Sequence, residues 1–311
     1  MSLGQFAYAN NSNRFLACEP LVQQKLAVVG VPFDGAVTNR PGARFGPQEI
    51  RRASLMMCDG THPDWNVSPL DIMGDAGDMR LSNASGLPLV RQEIQAQAAV
   101  LMAQHHCVFL GGDHSVTLPL IRAAHAQYAK EGGKLAMVHF DAHCDTWTDH
   151  FSEPSGHGTW THEVIAEGLV DPTKTVQIGI RSAGERDAVR YVADRGGLIV
   201  TGRELRGRDG DALQGVIADI LKRIGDAPCY LTLDIDCLDP AFAPGTGTPE
   251  PGGMTSGQLL TFLEGLAPLN TVAMDCCEVA PAYDHAELTT NAAANAVWTY
   301  LCAQAKKFKG A

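Results

Sequence analysis

Four short apolar runs in this chain each end on a cluster of Asp, His or Glu, and that pairing constrains the fold more than any other feature. The runs are 107–111 (CVFLG), 135–140 (LAMVHF), 229–233 (CYLTL) and 271–278 (TVAMDCCE), with further candidates at 25–31 and 175–180. Each reads as a buried strand, and stretches of helical character follow at Val116–Lys130, Gln258–Leu266 and Ala286–Lys306. Strands that are apolar along their whole length, alternating with helices, form a mostly parallel sheet covered on both faces. The expectation is an α/β protein, a single three-layer α/β/α domain over residues 1–311, with residues 1–25 as an N-terminal arm. No repeat or linker interrupts it. The long loops at 32–48, 144–160 and 237–256 mark where function concentrates.

In such sheets ligands bind beyond the carboxyl ends of the strands. There this sequence places Gly111-Gly112-Asp113-His114-Ser115, then Asp141-Ala142-His143-Cys144-Asp145, then Asp234-Ile235-Asp236, and finally Asp275-Cys276-Cys277-Glu278. In an extended chain alternate side chains share a face, so Asp141, His143 and Asp145 converge, as do Asp234 and Asp236. Carboxylates gathered this closely stay ionised only when cations neutralise them. Hard oxygen donors mixed with imidazole, without an obvious thiolate, favour Mn²⁺ over a structural Zn²⁺. Two ions sharing carboxylates, about 3.5–4 Å apart, would bring the pKa of a held water towards neutrality, which predicts hydrolysis.

Taken singly, each motif has a plainer explanation. Asp113 or Ser115 can cap a helix after a strand-to-helix turn, and the Asp-Ile-Asp run can be turn chemistry. The 141–145 stretch can be a solvated loop, Glu278 a charge at a strand end, and His157 a solvated loop histidine. Their co-occurrence at four strand ends favours a metal site.

Charge and cysteine usage exclude other classes. The formal net charge is −11, and no basic run is denser than Lys306, Lys307 and Lys309, so no footprint for nucleic acid is present. An acidic field instead draws in a small cation. The longest apolar runs, such as 26–31 (LAVVGV), fall far short of the roughly 20 residues a membrane helix needs. Nine cysteines without a C-x-x-C pair, and no signal-like N-terminus, lead to the expectation of a cytoplasmic protein with reduced thiols. No G-x-G-x-x-G or G-x-x-x-x-G-K-[ST] follows a strand, which sets aside a dinucleotide or phosphate binder.

The blocks GGDHS at 111, HFDAHCDT at 139, SGHGT at 155, LTLDIDCLDPAFAPGTGTPEPGG at 231 and DCCEVAPAYD at 275 resemble the signature blocks of the ureohydrolases, the family of arginases and agmatinases. The likeness extends to VPFDGAVTNRPGARFGPQEIR from Val31 to Arg52, and within the family it is nearest the bacterial agmatinases. It implies that His114, Asp141, Asp145 and Asp234 bind one manganese and His143, Asp141, Asp234 and Asp236 the other, with a hydroxide bridging the pair. By the same resemblance Asp145 bonds that hydroxide, Glu278 pairs with the substrate guanidinium, His157 moves protons near the leaving amine, and the chain assembles as a trimer or hexamer. A single-Zn deacetylase-like hydrolase or an inactive regulator on the same fold would not need all six ligands and Glu278.

For the substrate's tail, the loop from Thr146 to Gly156 holds Asp149 and Glu153 but no Lys or Arg. An acidic loop suits the distal ammonium of agmatine, giving putrescine and urea as products. A guanidino acid such as 4-guanidinobutyrate or 3-guanidinopropionate would want a cation there and is the alternative.

Overall fold

The computed structural model describes residues 13–82, 86–130, 132–149 and 152–310. Among these, eight strands form one sheet: β1 (Leu26–Gly30), β2 (Met73–Asp78), β3 (His106–Leu110), β4 (Leu135–Phe140), β5 (Val170–Ile180), β6 (Leu198–Thr201), β7 (Cys229–Asp234) and β8 (Thr271–Cys277). Their order is β2-β1-β3-β8-β7-β4-β5-β6, and every pairing is parallel. The helices are α1 (Gly46–Ser54), α2 (Leu87–Met102), α3 (Thr117–Tyr128), α4 (Trp160–Ala166), α5 (Arg186–Val189), α6 (Gly202–Leu205), α7 (Asp211–Ile224), α8 (Ser256–Gly265) and α9 (Leu288–Lys309).

Side-chain alternation along the strands builds two cores. Val28, Val108, Val138, Phe140 and Leu231 pack with residues of α1, α7, α8 and α9, while Ala27, Val29, Phe109, Met137 and Tyr230 pack with α2, α3 and α4 on the opposite face. This is the expected three-layer α/β/α arrangement. It also explains why the interior strands read as unbroken apolar runs: both faces are dry. The two strands that sequence reading missed are the sheet edges, β2 and β6, and helices α1, α2 and α4 to α7 were also not anticipated. β2 (MGDAGD) is poor in β-formers; its Asp75 instead takes two bonds from the buried guanidinium of Arg51.

Of the expected N-terminal arm, residues 1–12 lie outside the described residues. Residues from 13 onward pack on their own chain, where Phe15 is buried and its N–H donates to Asp75 Oδ2 at 2.9 Å. No helix is long and apolar enough to cross a membrane among the described residues.

Candidate active site

β3, β8, β7 and β4 are neighbours in the sheet, so the polar segments that follow them meet above its centre. After β3 the chain squeezes past the loop at 32–37. A Cβ on Gly112 would stand 1.7 Å from Phe33 O, so only glycine fits. Asp113 then caps the turn, accepting from Ser115 N–H at 3.0 Å, and its other oxygen accepts from Ala36 N–H at 2.9 Å. The capping role and the site role of this motif coexist, because the cap aims His114 inward.

The carboxylates converge, but not by the extended alternation expected from sequence. Asp141 Oδ1 accepts from His143 N–H at 2.6 Å, and Asp234 Oδ1 accepts from Asp236 N–H at 2.8 Å. A side-chain oxygen bonded to the backbone two residues on curls the chain into a turn. Ile235–Cys237 is accordingly a 3₁₀ turn, and Asp145 adopts φ 52°. Asp236 is tied back by Ala142 N–H at 3.0 Å. Below this turn the Arg181 guanidinium donates to the carbonyls of Asp236 (2.8 Å), Leu238 (3.1 Å) and Glu250 (2.5 Å), latching the 237–250 loop to the end of β5.

His114 Nδ1 lies 3.2 Å from Asp141 Oδ2, 3.3 Å from Asp145 Oδ2 and 3.2 Å from Asp234 Oδ2. Its Nε2 is 2.8 Å from Thr232 Oγ1, and that hydroxyl donates its own proton to Asp275 Oδ1 at 2.5 Å. The hydroxyl must therefore accept from Nε2–H, which leaves Nδ1 facing three carboxylate oxygens, with a proton in the metal-free ring or a lone pair free for a metal in the neutral one. His143 Nδ1 is 3.3 Å from Asp141 Oδ1 and 3.1 Å from Asp236 Oδ2. Spacings near 3 Å between donors match the edges of a coordination shell with bonds of about 2.1 Å. These residues fit divalent metal.

The electrostatics agree. Burial, then Asp236 and Asp141, hold the Asp234 carboxyl well above its ordinary range, and burial with Asp141 raises Asp145. Burial also acts on Asp141, but His139, His114 and His143 outweigh it and hold that carboxyl low. Burial opposes charge on His114 and His143, yet the surrounding carboxylates drive both well up. The pocket demands positive charge.

His157 and Glu278 stand beside it. His157 Nδ1 is 2.9 Å from Glu278 Oε1, which also accepts from His114 N–H at 2.9 Å. Glu278 Oε2 is buried without a hydrogen-bond partner among the described residues. Thr38, His143, Asp145, Trp147, His157, Gly158, Asp234 and Thr248 line a cavity of about 110 Å³; His157 is in its wall, with Glu278 hydrogen-bonded to it from outside that lining.

A family model described as the Arginase family matches residues 24–303. The chain belongs to the arginase family. Agmatinase from Chromobacterium violaceum is 43% identical over 284 residues, covering 91% of this chain and 84% of the relative. Agmatinase from Serratia proteamaculans is likewise 43% identical over 284 residues, covering 90% and 87%. The solved structure of proclavaminate amidino hydrolase from Streptomyces clavuligerus superposes with a TM-score of 0.85 at 35% identity, covering 94% of this chain and 97% of that one.

Within this arginase-family site, the structure brings together His114, Asp141, His143, Asp145, Asp234, Asp236, His157 and Glu278. Asp149 and Glu153 are exposed on their loop and are not among the cavity-lining residues. Several partners were not anticipated. Trp160 Nε1 donates to Asp145 Oδ2 at 2.7 Å. Gln177 donates to Cys144 O at 2.7 Å and faces His139 Nδ1 at 3.1 Å with the same nitrogen, so His139 donates from Nε2 to Asp141 Oδ2 at 2.7 Å and orients it. Asp275 collects the hydroxyls of Thr117, Tyr230 and Thr232. A charged Asp inside the apolar run TVAMDCCE was the available signal for this last group.

Proposed function

We propose that this chain hydrolyses agmatine to putrescine and urea with two manganese ions, one held by His114, Asp141, Asp145 and Asp234 and the other by His143, Asp141, Asp234 and Asp236. When bound, such ions supply a water acidic enough to serve as nucleophile near neutral pH. The observation that carries the reading is Glu278 Oε2, a buried carboxylate oxygen without a hydrogen-bond partner among the described residues, close to a cavity whose described lining holds no Lys or Arg. A planar guanidinium meets that need, because charge-assisted N–H bonds to a carboxylate also fix its plane.

Each residue then has a task. Glu278 holds the guanidinium carbon in line for attack, since its Oε1 is already committed to His157 and His114. Asp145, held by Trp160, orients the attacking water. His157 handles the proton that the departing amine must receive as the C–N bond breaks. Trp147 and Thr38 line the way out for the aliphatic tail, and Asp149 and Glu153 would meet the ammonium in the solvent-facing loop. A guanidino-acid tail would find no cation in the cavity lining.

The test is urea release by manganese-loaded protein from agmatine, 4-guanidinobutyrate, 3-guanidinopropionate and arginine, with an EDTA-treated control. EDTA-sensitive turnover of agmatine above the others is the expected result. Preference for a guanidino acid would overturn the substrate while keeping the chemistry, and no urea from any would overturn the reaction. Native mass spectrometry showing one zinc per chain would replace the two-ion centre.

A further inference from the structure

His157 lines the cavity, yet each of its ring nitrogens already has a protein partner. Nδ1 faces Glu278 Oε1 at 2.9 Å. Nε2 accepts from the backbone N–H of Thr38 at 3.1 Å and lies 2.8 Å from the Thr38 hydroxyl. Of the partners just named, one suits a proton passing between this ring and a substrate atom. Glu278 carries the guanidinium in the reaction proposed above, and a peptide N–H does not exchange within a turnover. The hydroxyl both accepts and donates.

We propose that Thr38 is a catalytic residue, the hydroxyl through which His157 delivers its proton to the departing amine. This rests on the ureohydrolase reading. As the C–N bond of the tetrahedral intermediate breaks, its electron pair goes to the departing nitrogen. That nitrogen takes the proton of Thr38 Oγ1, and Oγ1 takes the proton of His157 Nε2. The hydroxyl ends as it began, and His157 ends neutral with its remaining proton on Nδ1 toward Glu278.

The placement suits the task. Thr38 is exposed at the rim and lines the cavity, so its hydroxyl is within reach of a substrate atom. In the structure Nε2 accepts from the Thr38 N–H and so carries no proton; once the ring is protonated, the hydroxyl 2.8 Å away is the acceptor for the new Nε2–H. The loop is pinned at several points: Ala36 N–H donates to Asp113 at 2.9 Å, Ala36 O accepts from His157 N–H at 3.1 Å, and Asn39 Nδ2 donates to Gly247 O at 2.9 Å.

Thr38→Val keeps the shape and the backbone N–H while removing the hydroxyl, and Thr38→Ser restores it. Across an agmatine titration, Thr38→Val should lose about 10²-fold or more in kcat with little change in KM, and Thr38→Ser should stay within about threefold of wild type. Retention of kcat within twofold in Thr38→Val, or an equal loss in both variants, overturns the relay. A second readout needs no turnover. In protein labelled with ¹⁵N-histidine, the His157 Nε2 resonance, assigned with His157→Asn, should move in Thr38→Val and hardly in Thr38→Ser. An unmoved resonance overturns the contact itself. Absence of urea from the wild type would count against the reaction and leave this resonance to judge Thr38.

Discussion

His157 Nδ1 and Glu278 Oε1 meet at 2.9 Å although they are 121 residues apart, the one from the loop ahead of α4 and the other from the end of β8. Glu278 reaches the contact from a left-handed backbone conformation, φ 64°, and Asp145 across the cavity does the same at φ 52°. Non-glycine residues adopt this region only where surrounding structure compels it, and such strain gathers at functional sites. Here Glu278 N–H is held by Gly112 O at 2.8 Å, which ties the strained residue to the glycine turn after β3.

Burial opposes a charge on His157, but the charge and hydrogen bond of Glu278, with Asp113 and Asp145, win and push its pKa up to about 9. A folded-state pKa above the ordinary value of about 6.5 means that the protonated ring stabilises the fold. That contribution is complete below about pH 6.5 and vanishes as pH rises through about 9. The stability gap between metal-free wild type and His157→Asn should therefore be widest near pH 6 and close above pH 9. Urea denaturation midpoints across that range measure it; a gap that does not vary with pH would refute the ion pair.

Glu278→Gln keeps the shape of the side chain but removes its charge. One N–H of the new amide would point where a guanidinium must donate, so binding and orientation fail together. The expected loss in kcat/KM is at least about 10²- to 10³-fold, comparable to deletion of one preorganised electrostatic group. The His157 pKa should fall in the same variant, because its main charge partner is gone. Steady-state kinetics and imidazole titration by NMR check the two halves separately.

Much of this site was legible in sequence because its residues sit at the ends of apolar strands, where a charged cluster has no packing explanation. The positions β3, β4, β7 and β8 were readable for the same reason that their ends are functional: they are interior strands, dry on both faces. The groups that hold the ligands were not legible. Thr232 and Asp275 face each other across β7 and β8, a register that only the sheet reveals. Trp160 reads as an ordinary core residue at the start of a helix until its indole N–H is found on Asp145. Asp149 and Glu153 are legible as charges in a loop, and the structure places both exposed and outside the cavity lining.

Asp275 fixes His114 through Thr232, and partners that orient a ligating imidazole typically govern metal affinity by about 10- to 100-fold. Asp275→Asn should weaken manganese binding by that order while leaving all six proposed ligands in place. It should also destabilise the fold, since the amide nitrogen of Asn would replace an oxygen that accepts from buried hydroxyls. Isothermal titration with Mn²⁺ and a thermal melt would show both, and wild-type affinity in this variant would break the link from Asp275 to the metal.

Asp234 offers a test in which the same substitution changes sign with metal. Burial and the neighbouring Asp236 and Asp141 hold its carboxyl well above the ordinary range, so in metal-free protein near neutral pH its charge opposes folding. Asn is nearly isosteric and removes that repulsion, so metal-free Asp234→Asn should melt at or above the temperature of metal-free wild type. Added Mn²⁺ reverses the order. A ligand that binds only the folded state stabilises it by about 2.7 kcal/mol at one hundred times its Kd, and wild type alone keeps the complete donor set. If Asp234→Asn instead melts below wild type without metal and shifts equally with it, the carboxylate is a structural hydrogen-bond acceptor for Asp236 N–H and not part of a charge-demanding pocket.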